Sequence, residues 1–338
     1  MFFDASYIRP SSLLVSSNQI SIDWIVHLLL CTLLNPLGVW VYAVPMYLRM
    51  NDRKYLRFGS YVVICWVLRY LNLRSKRCKY PRRKHMNVMI TGGSHGLGLE
   101  IVRRICDSAT VFVLDQEKSA QLEPLLVSTK NVQFLQCNVA DQKSLQTALN
   151  AIFGSVDRLD AVICNAGVRQ TKQTLHLQPS ELRELFDINY FANVQLIQHA
   201  IKHHRHPNRL HLVCVSSVLG FVSPRGLSGY SATKAGLHTF FMALRHEVPD
   251  SVVISTIIPG QLTTRMFEDV RVDRYFWAPL VDHCKLAQRV VELIERGENG
   301  FFAFPLYARF IPILQVLPYS WYRALKKFSR MDDVIEDK

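Results

Sequence analysis

The sequence predicts an α/β protein built on a doubly wound parallel sheet, and three observations predict it. From Met86 onward, short apolar runs alternate with longer amphipathic stretches. A glycine-rich turn separates the first short run from the first long stretch, and an acidic residue closes the second short run.

The short runs at 87–90, 110–114, 132–136, 161–164, 210–215 and 252–258 read as strands. The stretches at 98–106, 145–153, 180–202 and 230–247 read as helices. A chain of 338 residues has room for one such domain of roughly 250 residues plus appendages. The expected division is a membrane-anchoring region at 1–84, the Rossmann-type domain at 85–298 and an apolar extension at 299–338.

The N-terminal region earns its reading from two apolar runs. Residues 22–48 are long enough to cross a hydrocarbon core of ~30 Å as a helix. Asn35-Pro36 interrupts the run, which leaves a hairpin entering and leaving by one face as the alternative to a single span. Its length, and the lack of a basic segment ahead of it, argue against a cleaved signal peptide. The second run, 58–71, is shorter and has basic residues on both flanks; it reads as an interfacial helix, with packing on the enzyme's own core as the alternative.

The net charge of +13 is concentrated in part at 69–84, where eight Lys and Arg occur without an acid. Directly after apolar segments, such a run suits a lipid surface better than nucleic acid. Phe301 to Tyr322 contains Pro305, Pro312 and Pro318, so it reads as an apolar apron against a membrane or over a pocket mouth rather than a spanning helix. Eight scattered cysteines show no zinc spacing, and His203, His204 and His206 sit among Lys and Arg in a loop, so no metal is expected. The expectation is a membrane protein of endoplasmic reticulum or lipid droplet whose catalytic domain faces the reducing cytosol.

The chemistry begins at Thr91, Gly92, Gly93, Ser94, His95, Gly96, Leu97 and Gly98. Glycines in a strand-turn-helix context let the backbone approach a pyrophosphate, whose charge meets the helix N-terminal amides. Asp115 ends the second strand, near the offset at which a carboxylate binds the adenosine ribose 2′-hydroxyl. It would repel a 2′-phosphate and Gln116 offers no countercharge, so NAD(H) is favoured over NADP(H), with NADP as the alternative.

Tyr230 and Lys234 lie four apart, on one helical face, and Ser217 lies thirteen residues before the tyrosine. Tyr230 is expected to exchange the hydroxyl proton. Lys234 lowers its pKa and holds the nicotinamide ribose, while Ser217 holds the substrate oxygen.

These marks in this order resemble the short-chain dehydrogenase/reductase family: the TGxxxGxG turn, Asn165-Ala166-Gly167, Ser217, Tyr230 to Lys234, and Pro259-Gly260. The resemblance implies that Asn189 is a fourth catalytic position supporting a water near the lysine. It also implies that Asn138 and Val139 lie by the adenine and that Thr263 or Thr264 contacts the carboxamide. Asn138 departs from the usual Asp, and Cys164 from the usual Asn. The tail and the aromatic stretch around Trp277 resemble the membrane-bound retinol and 17β-hydroxysteroid dehydrogenase subgroup, which implies a small lipophilic alcohol or carbonyl as substrate and admits a homodimer. An NADPH-dependent ketone reductase of lipid synthesis and an idle dinucleotide-binding membrane protein are the rival readings.

Overall fold

The computed structural model describes residues 21–31, 36–50, 53–75, 84–205, 208–270 and 277–333. Seven parallel strands form one sheet in the order β3-β2-β1-β4-β5-β6-β7. They are β1 (Met86–Thr91), β2 (Ala109–Asp115), β3 (Val132–Gln136), β4 (Ala161–Cys164), β5 (Leu210–Val215), β6 (Val252–Pro259) and β7 (Gly300–Phe304). The chain winds outward from β1 to β3, then returns to place β4 on the other side of β1. That reversal opens a crevice beyond the carboxyl ends of β1 and β4, where doubly wound sheets bind ligands.

Crossover helices cover both faces, so the strands are apolar on both sides. One core joins Val88, Ile90 and Val113 to α4 (Gly96–Ile105) and α10 (His283–Arg296). The other joins Met89, Phe112 and Leu212 to α6 (Gln142–Ser155), α8 (Ala192–Lys202) and α9 (Ser228–Leu244). The short α5 (Glu123–Ser128) precedes β3.

The helix expected over 180–202 is three pieces: α7 (Pro179–Phe186), a π turn at Asp187–Phe191, and α8. A π turn widens the helix locally and is frequent where a functional side chain must be turned inward. The apolar extension also changes meaning. Its first residues form β7, which pairs Ser255–Pro259 of β6 with Gly300–Phe304, so the sheet continues past the expected boundary at 298. Two 3-10 turns at Leu306–Arg309 and Ile311–Val316 and a final helix, α11 (Tyr319–Ser329), follow.

Of the two readings left open for 22–48, a single span or a hairpin, the single spanning helix is not what the structure holds. That stretch holds two helices, α1 (Ile22–Cys31) and α2 (Pro36–Met50), and among the described residues no helix is long and apolar enough to cross a membrane. The second run lies within α3 (Arg53–Ser75), which packs against α2 with Gly59 facing Trp40 and Ala43. Half of the polybasic run, residues 76–83, lies outside the described residues, as does His206. α1 docks on the extension: buried Asp23 accepts the Leu306 amide at 2.5 Å.

Candidate active site

The glycine turn leaves β1 under two steric constraints. Gly92 and Gly96 have φ of +65° and +52°, a region costly for residues with a Cβ. A Cβ at Gly98 would lie 2.1 Å from the Gly92 carbonyl oxygen, so α4 starts hard against the turn. Gly93 is tucked against Val113 and Ile90 of the core. Thr91 fastens the next strand to this turn, because its Oγ1 accepts the Asn165 and Ala166 amides at 3.1 Å. The Asn165 amide group donates to the carbonyls of Thr91 and Gly92 at 3.1 and 2.9 Å. These bonds hold the crevice open.

A cleft of about 870 Å³ runs across this crevice, lined by Gly92, His95, Gly96, Leu97, Asp115, Val139, Asn165, Ala166, Gly167, Ser217, Tyr230, Lys234, Pro259, Gly260, Thr263 and Thr264. The sequence therefore brought most of the expected cofactor residues to one wall. Thr91, Gly93, Ser94 and Gly98 act behind it, as the frame of the turn. The Ser94 amide donates to Asp115 Oδ2 at 2.9 Å, and the Gln116 amide to Oδ1 at 2.9 Å, which fixes the carboxylate at the cleft edge. Asn138 itself is exposed; its Oδ1 accepts Gln116 Nε2 at 3.0 Å, while its neighbours Cys137 and Val139 face the cleft.

A dinucleotide fits this donor set: bare backbone at the turn, a carboxylate at the end of β2, and an ammonium at the far end. Lys234 is buried and donates to the Val215 carbonyl at 2.9 Å, leaving the other two ammonium hydrogens for ribose hydroxyls. Thr263 Oγ1 shares a hydrogen with His283 Nδ1 at 2.8 Å, and Thr264 packs on Gly96.

Tyr230 is buried in the first turn of α9, one turn ahead of Lys234, whose Nζ lies 5.8 Å from the tyrosine ring centroid. Ser217, extended at the end of β5, accepts the Leu219 amide at 3.1 Å. Burial pushes the Tyr230 phenol up to about 12, and its hydrogen bond with Ser217 only partly offsets this. Burial likewise lowers the Lys234 ammonium. In the free cleft, desolvation therefore outweighs the lowering that Lys234 was expected to exert on the phenol. NAD(P)(H) held here would supply or take the hydride and, when oxidised, would add a positive charge opposing the desolvation.

Asn189 sits fully buried in the π turn. Its side chain accepts the Val168 amide at 2.9 Å and donates to the Val168 carbonyl at 2.9 Å and to Thr233 Oγ1 at 3.0 Å. A Cβ at Gly167 would lie 3.2 Å from Asn189 Oδ1 and 3.5 Å from Lys234 Nζ, so the absent side chain leaves space between the two. The family resemblance implies a water near the lysine, on this side of Asn189.

Residue types gave no signal for several further groups. Gln170 Oε1 accepts the Tyr230 amide at 3.1 Å and so seats the start of α9. Phe267 packs edge-on to Tyr230 at 6.0 Å between centroids and lines both the cleft and a second cavity. Arg169 lies over the Phe267 ring at 5.2 Å and binds Asp269 at 2.6 Å. The second cavity, of about 340 Å³, opens beside Ser217 and is walled by Val218, Val222, Leu227, Trp277, Tyr307, Ile311, Leu314 and residues of α11. Trp277 lines this cavity, whereas residues 271–276 lie outside the described set.

The short chain dehydrogenase family pattern matches residues 86–274. The chain belongs to that family. This short-chain dehydrogenase is 31% identical over 258 residues to the uncharacterized oxidoreductase TDA5 of Saccharomyces cerevisiae, covering 74% of this chain and 78% of the yeast protein. It is 26% identical over 194 residues to human dehydrogenase/reductase SDR family member 7, covering 54% of this chain and 57% of the human one. A short-chain dehydrogenase structure from Streptomyces avermitilis shares the fold, with a TM-score of 0.60, 21% identity, and coverage of 72% of this chain and 96% of that one. The short-chain dehydrogenase described here is an NAD(P)-dependent oxidoreductase.

Proposed function

We propose that this enzyme interconverts a lipophilic alcohol and its carbonyl with NAD(H), working at a membrane with its catalytic domain on the cytosolic side. The observation that carries the substrate class is the second cavity: it begins at Ser217, and beyond that hydroxyl its wall is mostly aliphatic and aromatic, with Gln261, Lys326 and Ser329 as its other polar members. An apolar cavity with one polar end selects a substrate with one reacting oxygen and an apolar body. Ser217 holds that oxygen, Tyr230 exchanges its proton, and Lys234 and Asn189 order the groups around them.

Asp115 supports NAD(H), because its fixed carboxylate disfavours a 2′-phosphate. A specific observation favours the rival NADPH-dependent ketone reductase: His95, Lys118 and Arg265 also line the cleft and could meet a phosphate. Comparing kcat/KM for NADH and NADPH decides between them. Asp115→Ala with Gln116→Arg should move the preference towards NADP(H) by at least tenfold, on the order of 1.4 kcal/mol. A wild type that already prefers NADPH overturns the NAD assignment.

The experiment that tests the activity is turnover of a panel of long-chain alcohols, sterols and retinoids by the full-length protein in lipid, alongside Tyr230→Phe. Expected is activity with a lipophilic member, lost in Tyr230→Phe while cofactor still binds. Substantial turnover by Tyr230→Phe would refute the role of the phenol, and turnover confined to small polar alcohols would refute the substrate class.

A further inference from the structure

We propose that α11 is an interfacial lipid-binding helix and that the cavity beside Ser217 fills from the bilayer through a mouth this helix forms. The proposal rests on the lipophilic-substrate reading and adds the route by which substrate arrives.

The helical period places Trp321, Leu325 and Phe328 on one face of α11, and Arg323 and Lys327 on another. A helix that only roofed a cavity would bury its apolar face. No residue of α11 is buried. Leu325 and Phe328 line the cavity and are nevertheless 43% and 50% exposed, as is Trp277 at 49%. The same apolar side chains thus form the inner wall and the outer rim. Beside them Tyr319 and Trp321 stand 76% and 65% exposed without lining the cavity.

The helix is also held in place. Asp332 Oδ1 accepts the Arg225 amide at 2.8 Å and binds Lys326 Nζ at 2.9 Å. Ahead of it, Gln315 Nε2 donates to the Phe221 carbonyl at 3.0 Å. These bonds tie the segment to the loop that follows Ser217, so the aromatic rim keeps a fixed position over the cavity mouth.

Charge identifies what the rim meets. α11 has no acidic residue, and Arg323 and Lys327 are exposed on the face turned away from Trp321. Exposed Trp and Tyr with flanking Lys and Arg suit a headgroup boundary, aromatic rings below and cations among anionic lipids. A substrate dissolved in that layer would reach Ser217 without crossing water, which an apolar rim would make costly for a charged competitor.

The test uses the full-length protein on phosphatidylcholine vesicles containing phosphatidylserine, with Trp321→Glu/Lys327→Glu, both outside the cavity wall. Wild-type turnover of a vesicle-dissolved long-chain alcohol should follow its mole fraction in lipid rather than its bulk concentration. The double variant should lose about tenfold or more on that alcohol, with turnover of a short water-soluble alcohol unchanged. Equal rates for both proteins on the vesicle-dissolved alcohol would overturn the proposal while leaving the activity assignment standing. Should neither alcohol react, the activity reading fails and docking is decided by fluorescence quenching with brominated lipid: quenching that Trp321→Phe reduces supports it, and quenching unchanged by that variant overturns it. A lipid-free dimer dispersed by Trp321→Glu would assign the face to a second copy of this chain, and would also overturn it.

Discussion

Asn189→Ala removes a side chain whose structural and chemical duties can be separated. The amide loses three hydrogen bonds: two with the Val168 backbone, both at 2.9 Å, and one to Thr233 Oγ1 at 3.0 Å. Each is worth about 1 kcal/mol net, and a buried partner left unpaired costs about 1–3 kcal/mol. Val168 is 38% exposed, so water can reach its backbone and recover part of the loss. The Thr233 hydroxyl is fully buried and cannot be rehydrated as easily, but it keeps its bond to the Tyr230 carbonyl at 2.7 Å and loses only the Asn189 donor. The expected cost is therefore roughly 2–4 kcal/mol, below the sum of three orphaned groups. Urea denaturation with NADH absent measures it. Because the same side chain borders the space beside Lys234, kcat should fall by about 10–100-fold while NADH affinity changes less. Asn189→Asp keeps the acceptor for the Val168 amide but loses both donors, and should fall between. Stability within about 0.5 kcal/mol of wild type, or an unchanged kcat in Asn189→Ala, would refute the account of the π turn.

Two further outcomes follow from buried and half-buried groups. Burial holds His211 at about 3 against an ordinary 6.5, so its neutral form favours folding; that contribution is present above pH 6.5 and is lost as pH falls through about 3. His211→Gln should flatten the decline in the urea midpoint between pH 6.5 and the acid limit, and an unchanged slope would count against burial as the cause. Arg169→Ala should release Phe267 from its stack and raise KM for a lipophilic alcohol several-fold, with little effect on global stability because Asp269 is about one-third exposed. Arg169→Lys keeps the charge but not the planar stack and should recover only part, whereas an unchanged KM in Arg169→Ala would show that Phe267 holds its place unaided.

Six of the seven strands were legible because each is a short apolar run closed by turn residues, the pattern that burial on both faces imposes. β7 escaped because Phe301 to Phe304 lies in one apolar stretch with the residues after it, so composition marks no boundary between strand and extension. Hydropathy summed over 22–48 allowed a single span, whereas the described residues hold one helix ending at Cys31 and another starting at Pro36, and the first carries a buried carboxylate spent on the Leu306 amide. Most of the residues the sequence singled out for a cofactor do line one cleft, since such chemistry restricts residue type at short spacing. Gln170, Phe267 and Arg169 were not legible, since a glutamine sixty residues from the backbone amide it accepts looks like any other glutamine. The π turn was equally hidden, because one extra residue in a helical turn barely alters the periodicity around it.

The bond between Asp23 and Leu306 bears on how this enzyme can be trimmed for study. Beginning the chain near Tyr80 looks harmless in the sequence, as every motif lies later. Yet such a cut would strip the partner from a buried backbone donor next to Tyr307, whose ring packs on Gly260 at the floor of the reaction chamber. The segments around Asp23 and Leu306 are buttoned together beside the cavity that Ser217 and Tyr307 line. A shortened protein that dissolves well but works poorly would have lost this fastening, and a cut placed just before Ser21 would keep it.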